Sequence, residues 1–83
     1  MKIRVKLYAS LAEYLPVGAQ KNESDLDVAD GTSPTQVILR LGVPEQMCHM
    51  VLVNGVYVVP EERSDKKLEE GDHLAIWPPV AGG

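Results

Sequence analysis

The sequence predicts an α+β domain, in which a mixed sheet of four to five strands packs against one main helix. Several short segments alternate between apolar and polar residues, which is the pattern of half-buried strands. One further segment, residues 33–42, carries the signals that begin and end a helix. A length of 83 residues fits a single domain built of two layers.

Residues 1–9 predict the first strand, because apolar and polar side chains alternate along them. One face carries Met1, Ile3, Val5, Leu7 and Ala9, and the other carries Lys2, Arg4, Lys6 and Tyr8. Residues 10–15 predict a short helical turn that covers one end of the core and ends at Pro16.

Residues 23–29 predict a second strand whose polar face is acidic, while that of the first strand is basic. An antiparallel pairing gives three pairs of opposite charge: Lys2 with Asp27, Arg4 with Asp25, and Lys6 with Glu23. Such cross-strand pairs contribute about 0.2–1 kcal/mol each and mainly set the register. We therefore expect this part of the sheet to be a solvated surface rather than a binding surface.

The main helix is predicted from local signals at both of its ends. Ser33 is a good N-cap, Pro34 suits the first helical position, and Gln36 can close a capping box. Gly42 is placed to end the helix. A helix of this length is too short to persist alone, so its apolar stripe must lie across the sheet. That stripe consists of Val37, Ile38 and Leu41.

The remaining strands follow from a hairpin signal and a final alternating run. Asn54-Gly55 favours a tight hairpin turn between residues 51–53 and residues 56–59. Residues 61–72 are charged and irregular, with Leu68 as their one apolar anchor. Residues 73–77 predict the last strand. Its inward residues are Leu74 and Ile76, and its outward residues are His73, Ala75 and Trp77.

Composition and charge narrow the classes of function. The net charge is −4, and no basic cluster is present, which argues against nucleic acid and anionic membranes as partners. No apolar run approaches the ~18 residues of a membrane span, and the start of the chain lacks a signal-peptide pattern. A single cysteine cannot form an internal disulfide, and the carboxylates lack metal-site spacing. We expect a cytoplasmic protein with protein partners and no metal.

The first and last strands are both candidates for the centre of the sheet, where they would run parallel as neighbours. The chain end would then leave beside the middle of the sheet, which is the β-grasp, or ubiquitin-like, layout. We predict a β-grasp domain over residues 1–77 and an extended tail over residues 78–83. Trp77 stands on the outward face beside this tail. It is either a partner anchor, which we favour, or a ring folded onto a local apolar edge.

Three motifs carry a resemblance to a known family: RVKLYASL at 4–11, VNGV at 53–56 and EGDHLAIWPPVAGG at 70–83. The first two are weakly specific. The third, which joins a turn, a strand, Pro-Pro-Val and a closing Gly-Gly, is strongly specific. The chain resembles, over its whole length, the MoaD/ThiS family of ubiquitin-like sulfur carriers, and most closely the small subunits of molybdopterin synthase. Trp77 stands where Phe or Tyr is more frequent in that family.

The resemblance implies sulfur transfer for molybdenum cofactor biosynthesis. An E1-like enzyme would use ATP and Mg to adenylate the carboxylate of Gly83, and a sulfurtransferase or other donor would convert it to a thiocarboxylate. The large subunit of molybdopterin synthase would then use that sulfur, in an expected heterotetramer. The chain itself binds no cofactor in this scheme and is not catalytic alone.

The site residues expected from this reading lie at the end of the chain. Gly83 supplies the reacting carboxylate. The residues that enter the partner are Pro78, Pro79, Val80, Ala81 and Gly82, and the candidate contact residues are Trp77, Ala75 and His73. Glycine lets the backbone approach closely, and the two prolines stiffen the root of the tail. A solvated strand residue remains the simpler interpretation of His73.

Other functions fit the same pattern. A thiamine-type carrier would differ in its acceptor, a protein modifier would join Gly83 to lysines of its targets, and an interaction module would leave the tail unused. Cys48-His49 could suggest a nucleophile and a base, but adjacent residues face different directions. We therefore expect Cys48 to be a small buried side chain and His49 to lie on the surface.

Overall fold

The structure is a computed structural model, and it describes residues 1–79. Its strands are β1 (Lys2–Leu7), β2 (Glu23–Asp27), β3 (Met50–Val53), β4 (Val56–Tyr57) and β5 (His73–Trp77), and its one α-helix is α1 (Pro34–Leu41). The strands form one mixed sheet in the order β2-β1-β5-β3-β4. Short 3-10 helices cover Ala9–Tyr14, Glu45–Met47 and Pro60–Glu62. The predicted β-grasp fold is confirmed.

The centre of the sheet is β5, the last strand of the chain. It runs parallel to β1, with Val5 opposite Leu74, and antiparallel to β3, with Val51 opposite Ile76. The inward side chains of these three strands are almost fully buried under α1, whose Val37 is only 1% exposed. The central strand, held between two neighbours, therefore leads directly into the last residues of the chain.

The predicted charge ladder between β1 and β2 has the correct register. Lys2 lies opposite Asp27, Arg4 opposite Asp25, and Lys6 opposite Glu23. The ion pairs themselves concentrate on Arg4, whose Nη1 lies 2.7 Å from Glu23 and whose Nη2 lies 2.9 Å from Asp25. The long guanidinium reaches Asp25 directly across from it and Glu23 diagonally, so one cation forms ion pairs with both carboxylates.

The Arg4–Glu23 contact predicts an acid-dependent loss of stability. The hydrogen bond from Arg4 holds the pKa of Glu23 below its ordinary value of 4.5. A lowered folded-state pKa stabilises the protein above that ordinary value, and the stabilisation is lost as the pH falls through the folded-state pKa. The unfolding free energy is measured by urea titration at a series of pH values. As the pH falls below 4.5, the unfolding free energy of Glu23→Gln should therefore decrease by less than that of the wild type.

A matched control for this experiment is Glu13→Gln, which removes an exposed carboxylate from the first 3-10 helix. It is expected to keep the acid dependence of the wild type. Equal acid dependence in the wild type and Glu23→Gln would contradict the assigned role of the Arg4–Glu23 pair.

The local signals around α1 and the hairpin are confirmed. The Ser33 side chain accepts from the backbone of Gln36, and the Gln36 side chain accepts in return from the backbone of Ser33, which completes the capping box. Gly42 ends the helix with a φ of 79°. In the hairpin, Asn54 and Gly55 have φ values of 51° and 83°, as a type I′ turn requires.

Three strands end earlier than predicted, and the starts of β1 and β3 each differ by one residue. β1 ends at Leu7, and Ala9 is exposed with a φ of 51°, because the chain turns there into a 3-10 helix. β2 ends at Asp27 rather than at residue 29. β4 ends at Tyr57, although Val58 still donates its N–H to Val51 at 2.8 Å, because Pro60 begins another 3-10 helix.

Arg63 is a second anchor in the segment for which the sequence indicated only Leu68. Its side chain is 7% exposed, and its guanidinium donates to backbone carbonyls of Val58 and Cys48, each at 2.9 Å. Two longer contacts of 3.4 Å join it to the carbonyl of His49 and the hydroxyl of Tyr57. One buried cation therefore ties the segment after β4 to the start of β3. Leu68 is buried as predicted.

The helices in the described part of the chain, residues 1–79, include none with the length and apolar character needed to cross a membrane.

Candidate functional site

The root of the tail, which is the end of β5 at Ile76 and Trp77, is hydrogen-bonded to residues next to both neighbouring strands. The carbonyl of Ile76 accepts from the N–H of Tyr8 at 3.1 Å, and the carbonyl of Trp77 accepts from the N–H of His49 at 2.9 Å. Two consecutive carbonyls are therefore bound by neighbours on opposite sides. Pro78 and Pro79 follow, the first partly buried and the second exposed. The end of β5, directly before the two prolines, is therefore fixed to both of its neighbours.

The face of the sheet opposite α1 carries the three predicted contact residues of β5 together. His73, Ala75 and Trp77 alternate with the buried Leu74 and Ile76, so they point to the same side. A shallow depression of about 450 Å³ lies along them. We call this surface the outer face, and its main residues are Lys6, Tyr8, Leu52, His73, Ala75 and Trp77.

Trp77 is stacked on Tyr8, a residue that the sequence did not indicate as part of the site. The two ring centroids lie 4.0 Å apart, and the ring planes differ by only 4°. Both side chains are partly exposed at the edge of the outer face. The sequence placed Tyr8 on the polar side of β1, but the stack depends on the register of β1 against β5, which no local pattern reports.

The other end of β5 is fixed by Asn54 and Asp72. The Asn54 side chain accepts from the N–H of His73 at 2.9 Å and donates to the carboxylate of Asp72 at 2.8 Å. The second oxygen of Asp72 accepts from the N–H of Glu69 at 2.8 Å. Asp72 therefore joins the turn before β5 to the hairpin, and its role is structural.

Charged residues on this side of the sheet lie in two separate places. The acidic residues Glu23 and Asp25 lie towards the β2 edge and are paired with Arg4. Lys6 and His73 lie nearer the centre, beside Leu52, Ala75 and Trp77. The central part of the outer face is therefore mostly uncharged, and it suits contact with a protein surface rather than binding of a small charged substrate.

Cys48 and His49 do not form a catalytic pair. Cys48 is 5% exposed, and its thiol donates to the carbonyl of Pro44 at 3.7 Å, whereas His49 is exposed. Burial raises the pKa of the Cys48 thiol, which favours the unreactive protonated form. Within residues 1–79, no group of three or more His, Cys, Asp or Glu side chains is placed to hold a metal ion.

The structure thus brings Trp77, Ala75 and His73 together and places Pro78 and Pro79 directly after them. The predicted insertion residues Val80, Ala81 and Gly82, and the predicted reacting residue Gly83, lie outside the described residues. Within the described residues, the site consists of the outer face and the hydrogen-bonded end of β5. The chemistry assigned to Gly83 stays a prediction.

Comparison with known protein families gives a match over most of the chain. Residues 5–83 match the model of the ThiS family. A comparison with curated protein sequences finds no significant match.

Solved structures share the fold. The chain is similar to the HVO 2177 protein of Haloferax volcanii, with 26% identity and a TM-score of 0.76 over 100% of this chain and 87% of that one. It is similar to small archaeal modifier protein 1 of Methanosarcina acetivorans, with 26% identity and a TM-score of 0.66 over 99% and 96% of the two chains.

A third similar structure is a complex of subunits 1 and 2 of molybdopterin-converting factor from Helicobacter pylori. The identity is 16% and the TM-score 0.59, over 100% of both chains, so this likeness concerns the fold. The family match spans nearly all of the sequence, including every residue of the outer face and the whole tail. The chain therefore belongs to the ThiS family.

Proposed function

We propose that the protein is a sulfur carrier whose working group is the terminal carboxylate of Gly83. The observation that carries this proposal is the position of the tail root. The central strand β5 runs directly into the sequence Pro-Pro-Val-Ala-Gly-Gly, and its last carbonyls are bound on both sides. A stiff root and a tip without side chains suit entry into a narrow active site of a partner.

The chemistry explains why a partner is needed. A carboxylate is a poor electrophile, so an E1-like enzyme would use ATP and Mg²⁺ to activate it: the Gly83 carboxylate attacks the α-phosphorus, and pyrophosphate leaves. Sulfide, or the terminal sulfur of a persulfide on a sulfurtransferase, then attacks the acyl carbon, and AMP leaves. Sulfide gives the product directly, whereas a persulfide gives an acyl disulfide, which a second thiol reduces while the donor sulfur and that thiol form a disulfide. The product is a C-terminal thiocarboxylate. Residues 78–83 contain no charged side chain, so the partner must supply acid–base and electrostatic help.

The sulfur acceptor that we propose is the pterin precursor held by a large subunit of molybdopterin synthase. The resemblance of residues 70–83 to the small subunits of that enzyme supports this choice, and the central outer face provides a surface for such a subunit. The Helicobacter pylori protein that shares the fold was solved with a second subunit, which makes a partner of that kind the first one to test. A thiamine-type carrier is the alternative with a different acceptor.

A second candidate function is protein modification through Gly83. It is favoured by the 26% identity to the small archaeal modifier protein of Methanosarcina acetivorans. In that role the activated carboxylate would form an amide with a lysine of a target instead of receiving sulfur. Both functions need the same tail and the same activation, so only the fate of the acyl group separates them.

Intact-mass spectrometry tests the proposal. After incubation with its activating enzyme, ATP, Mg²⁺ and a sulfur source, the chain should exchange one oxygen for sulfur and gain about 16 Da. A reaction without ATP is the control and should leave the mass unchanged. No gain with an active activating enzyme would contradict the carrier function. Lysine-linked adducts in cell extract would favour the modifier, and capture of a large subunit would favour the pterin pathway over thiamine.

A further inference from the structure

The last two residues of β5 are held by different neighbours. Successive carbonyls of a strand point to opposite sides, so the carbonyl of Ile76 accepts from Tyr8 on the β1 side at 3.1 Å, and that of Trp77 accepts from His49 on the β3 side at 2.9 Å. The carbonyl of Trp77 therefore bonds only to the β3 side. On the β1 side, Trp77 is held by its ring, which stacks on the ring of Tyr8.

That contact is close and nearly parallel. The ring centroids are 4.0 Å apart with an angle of 4° between planes. Tyr8 follows β1 directly with an extended backbone, φ −100° and ψ 158°, so its side chain continues the outward row of that strand. The stack therefore joins the side chains at the next position of the parallel register, after Leu7 opposite Ile76.

The residues after Trp77 transmit its orientation. Trp77 precedes a proline, which restricts its backbone to extended conformations, and Pro78 and Pro79 each have a fixed φ. A change of angle at Trp77 is therefore passed to both prolines. Two residues span about 7 Å, so a tilt of about 10° at Trp77 moves the end of Pro79 by about 1 Å. Misplacement of a reacting group by about 1 Å can lower a rate by about 100-fold.

We propose that Tyr8 is a positioning residue for the tail: its ring braces Trp77 on the β1 side, opposite the hydrogen bond that holds the Trp77 carbonyl, and so holds the direction in which Pro78 leaves β5. This role rests on the proposed sulfur-carrier function. In this role Tyr8 acts through Trp77, the residue on which its ring is stacked. Loss of the ring should lower the turnover of activation rather than the affinity of the partner.

The test compares Tyr8→Ala, Tyr8→Leu and Tyr8→Phe with the wild type. Tyr8→Phe keeps the flat ring and is the control, whereas Tyr8→Leu keeps apolar bulk without a ring. The rate of pyrophosphate release by the activating enzyme is measured against the concentration of carrier. Tyr8→Ala and Tyr8→Leu are expected to lower kcat about tenfold or more while KM stays within about threefold, and Tyr8→Phe should match the wild type.

The sole tryptophan reports the stack directly. Fluorescence anisotropy of Trp77 should fall in Tyr8→Ala and Tyr8→Leu, because the indole loses its brace, and should be unchanged in Tyr8→Phe. Far-UV circular dichroism and thermal unfolding identify the variants that are folded at the assay temperature. If Tyr8→Ala is unfolded at the assay temperature, Tyr8→Leu is compared with the wild type instead.

Each outcome decides the proposal. A fall in kcat together with lower anisotropy supports positioning. A rise in KM alone overturns it, because Tyr8 would then be a contact residue of the partner. Unchanged kinetics in folded variants, beside normal activation of the wild type, overturn the positioning role and leave the sulfur-carrier function standing. A wild type that is not activated at all overturns the proposed function and this inference with it.

Discussion

Removal of Gly82 and Gly83 is expected to abolish sulfur loading and to leave the fold intact. The truncated chain would end at Ala81, and its carboxylate would fall about 7 Å short of the position that the native one reaches. The buried apolar core, in contrast, runs from Ile3 to Ile76 and includes none of the removed residues. Intact-mass spectrometry should therefore show no gain of sulfur, while the melting temperature stays within about 2 °C of the wild type.

The control for the truncation is Val80→Ala, which changes a tail side chain but keeps the chain length. It should still be loaded, because the reacting group in this mechanism belongs to the main chain. Sulfur loading of the truncated protein would place the reactive group elsewhere and contradict the assignment to Gly83. Loss of folding in the truncated protein would contradict the prediction that residues 1–77 form the stable domain.

Replacement of Arg63 by Met is expected to lower the unfolding free energy by about 3 kcal/mol. The guanidinium donates to the carbonyls of Val58 and Cys48 in buried hydrogen bonds of 2.9 Å each, and to the carbonyl of His49 at 3.4 Å in a partly buried one. Methionine fills similar space but donates no hydrogen bond, so acceptors are left unsatisfied, and each costs about 1–3 kcal/mol. For a domain of this size the melting temperature should fall by roughly 15 °C, as measured by thermal and urea unfolding.

Two variants locate the source of this effect. Tyr57→Phe removes only the hydroxyl that lies 3.4 Å from Arg63, so it should cost less than about 0.5 kcal/mol. Arg63→Lys keeps the charge but lacks the planar fork that reaches several carbonyls at once, so its stability should lie between those of the wild type and Arg63→Met. A loss below about 1 kcal/mol in Arg63→Met would show that the carbonyls find other donors.

The elements that were predicted correctly are those whose physics is local or strictly periodic. The Ser33–Gln36 capping box and the Asn54-Gly55 turn each involve a few neighbouring residues, so their sequence signals are complete in themselves. The register of β1 and β2 was predictable because basic residues on one strand alternate in step with acidic residues on the other. The errors at strand ends, as at Ala9, arose where a turn competes with the alternating pattern.

The candidate site was predictable only in part, for the same reason. The alternation of β5 placed His73, Ala75 and Trp77 on one face, and the resemblance of the chain end pointed to the tail. The roles of Asn54 and Asp72 were missed, because their bonds join a hairpin turn to a strand start far along the chain. Tyr8 was missed because a parallel pair of strands has no connecting turn to set its register.

The sequence by itself determined the fold class, the register of the first two strands and the caps of α1. It also showed that the end of the chain carries a motif typical of one family. Only the tertiary structure decided which side chains meet around that tail. The Tyr8–Trp77 stack depends on a parallel register between the two ends of the chain, and the burial of Arg63 depends on packing between segments that are not neighbours. Periodicity reports the face on which a side chain lies, whereas contact needs the position of a second element in space.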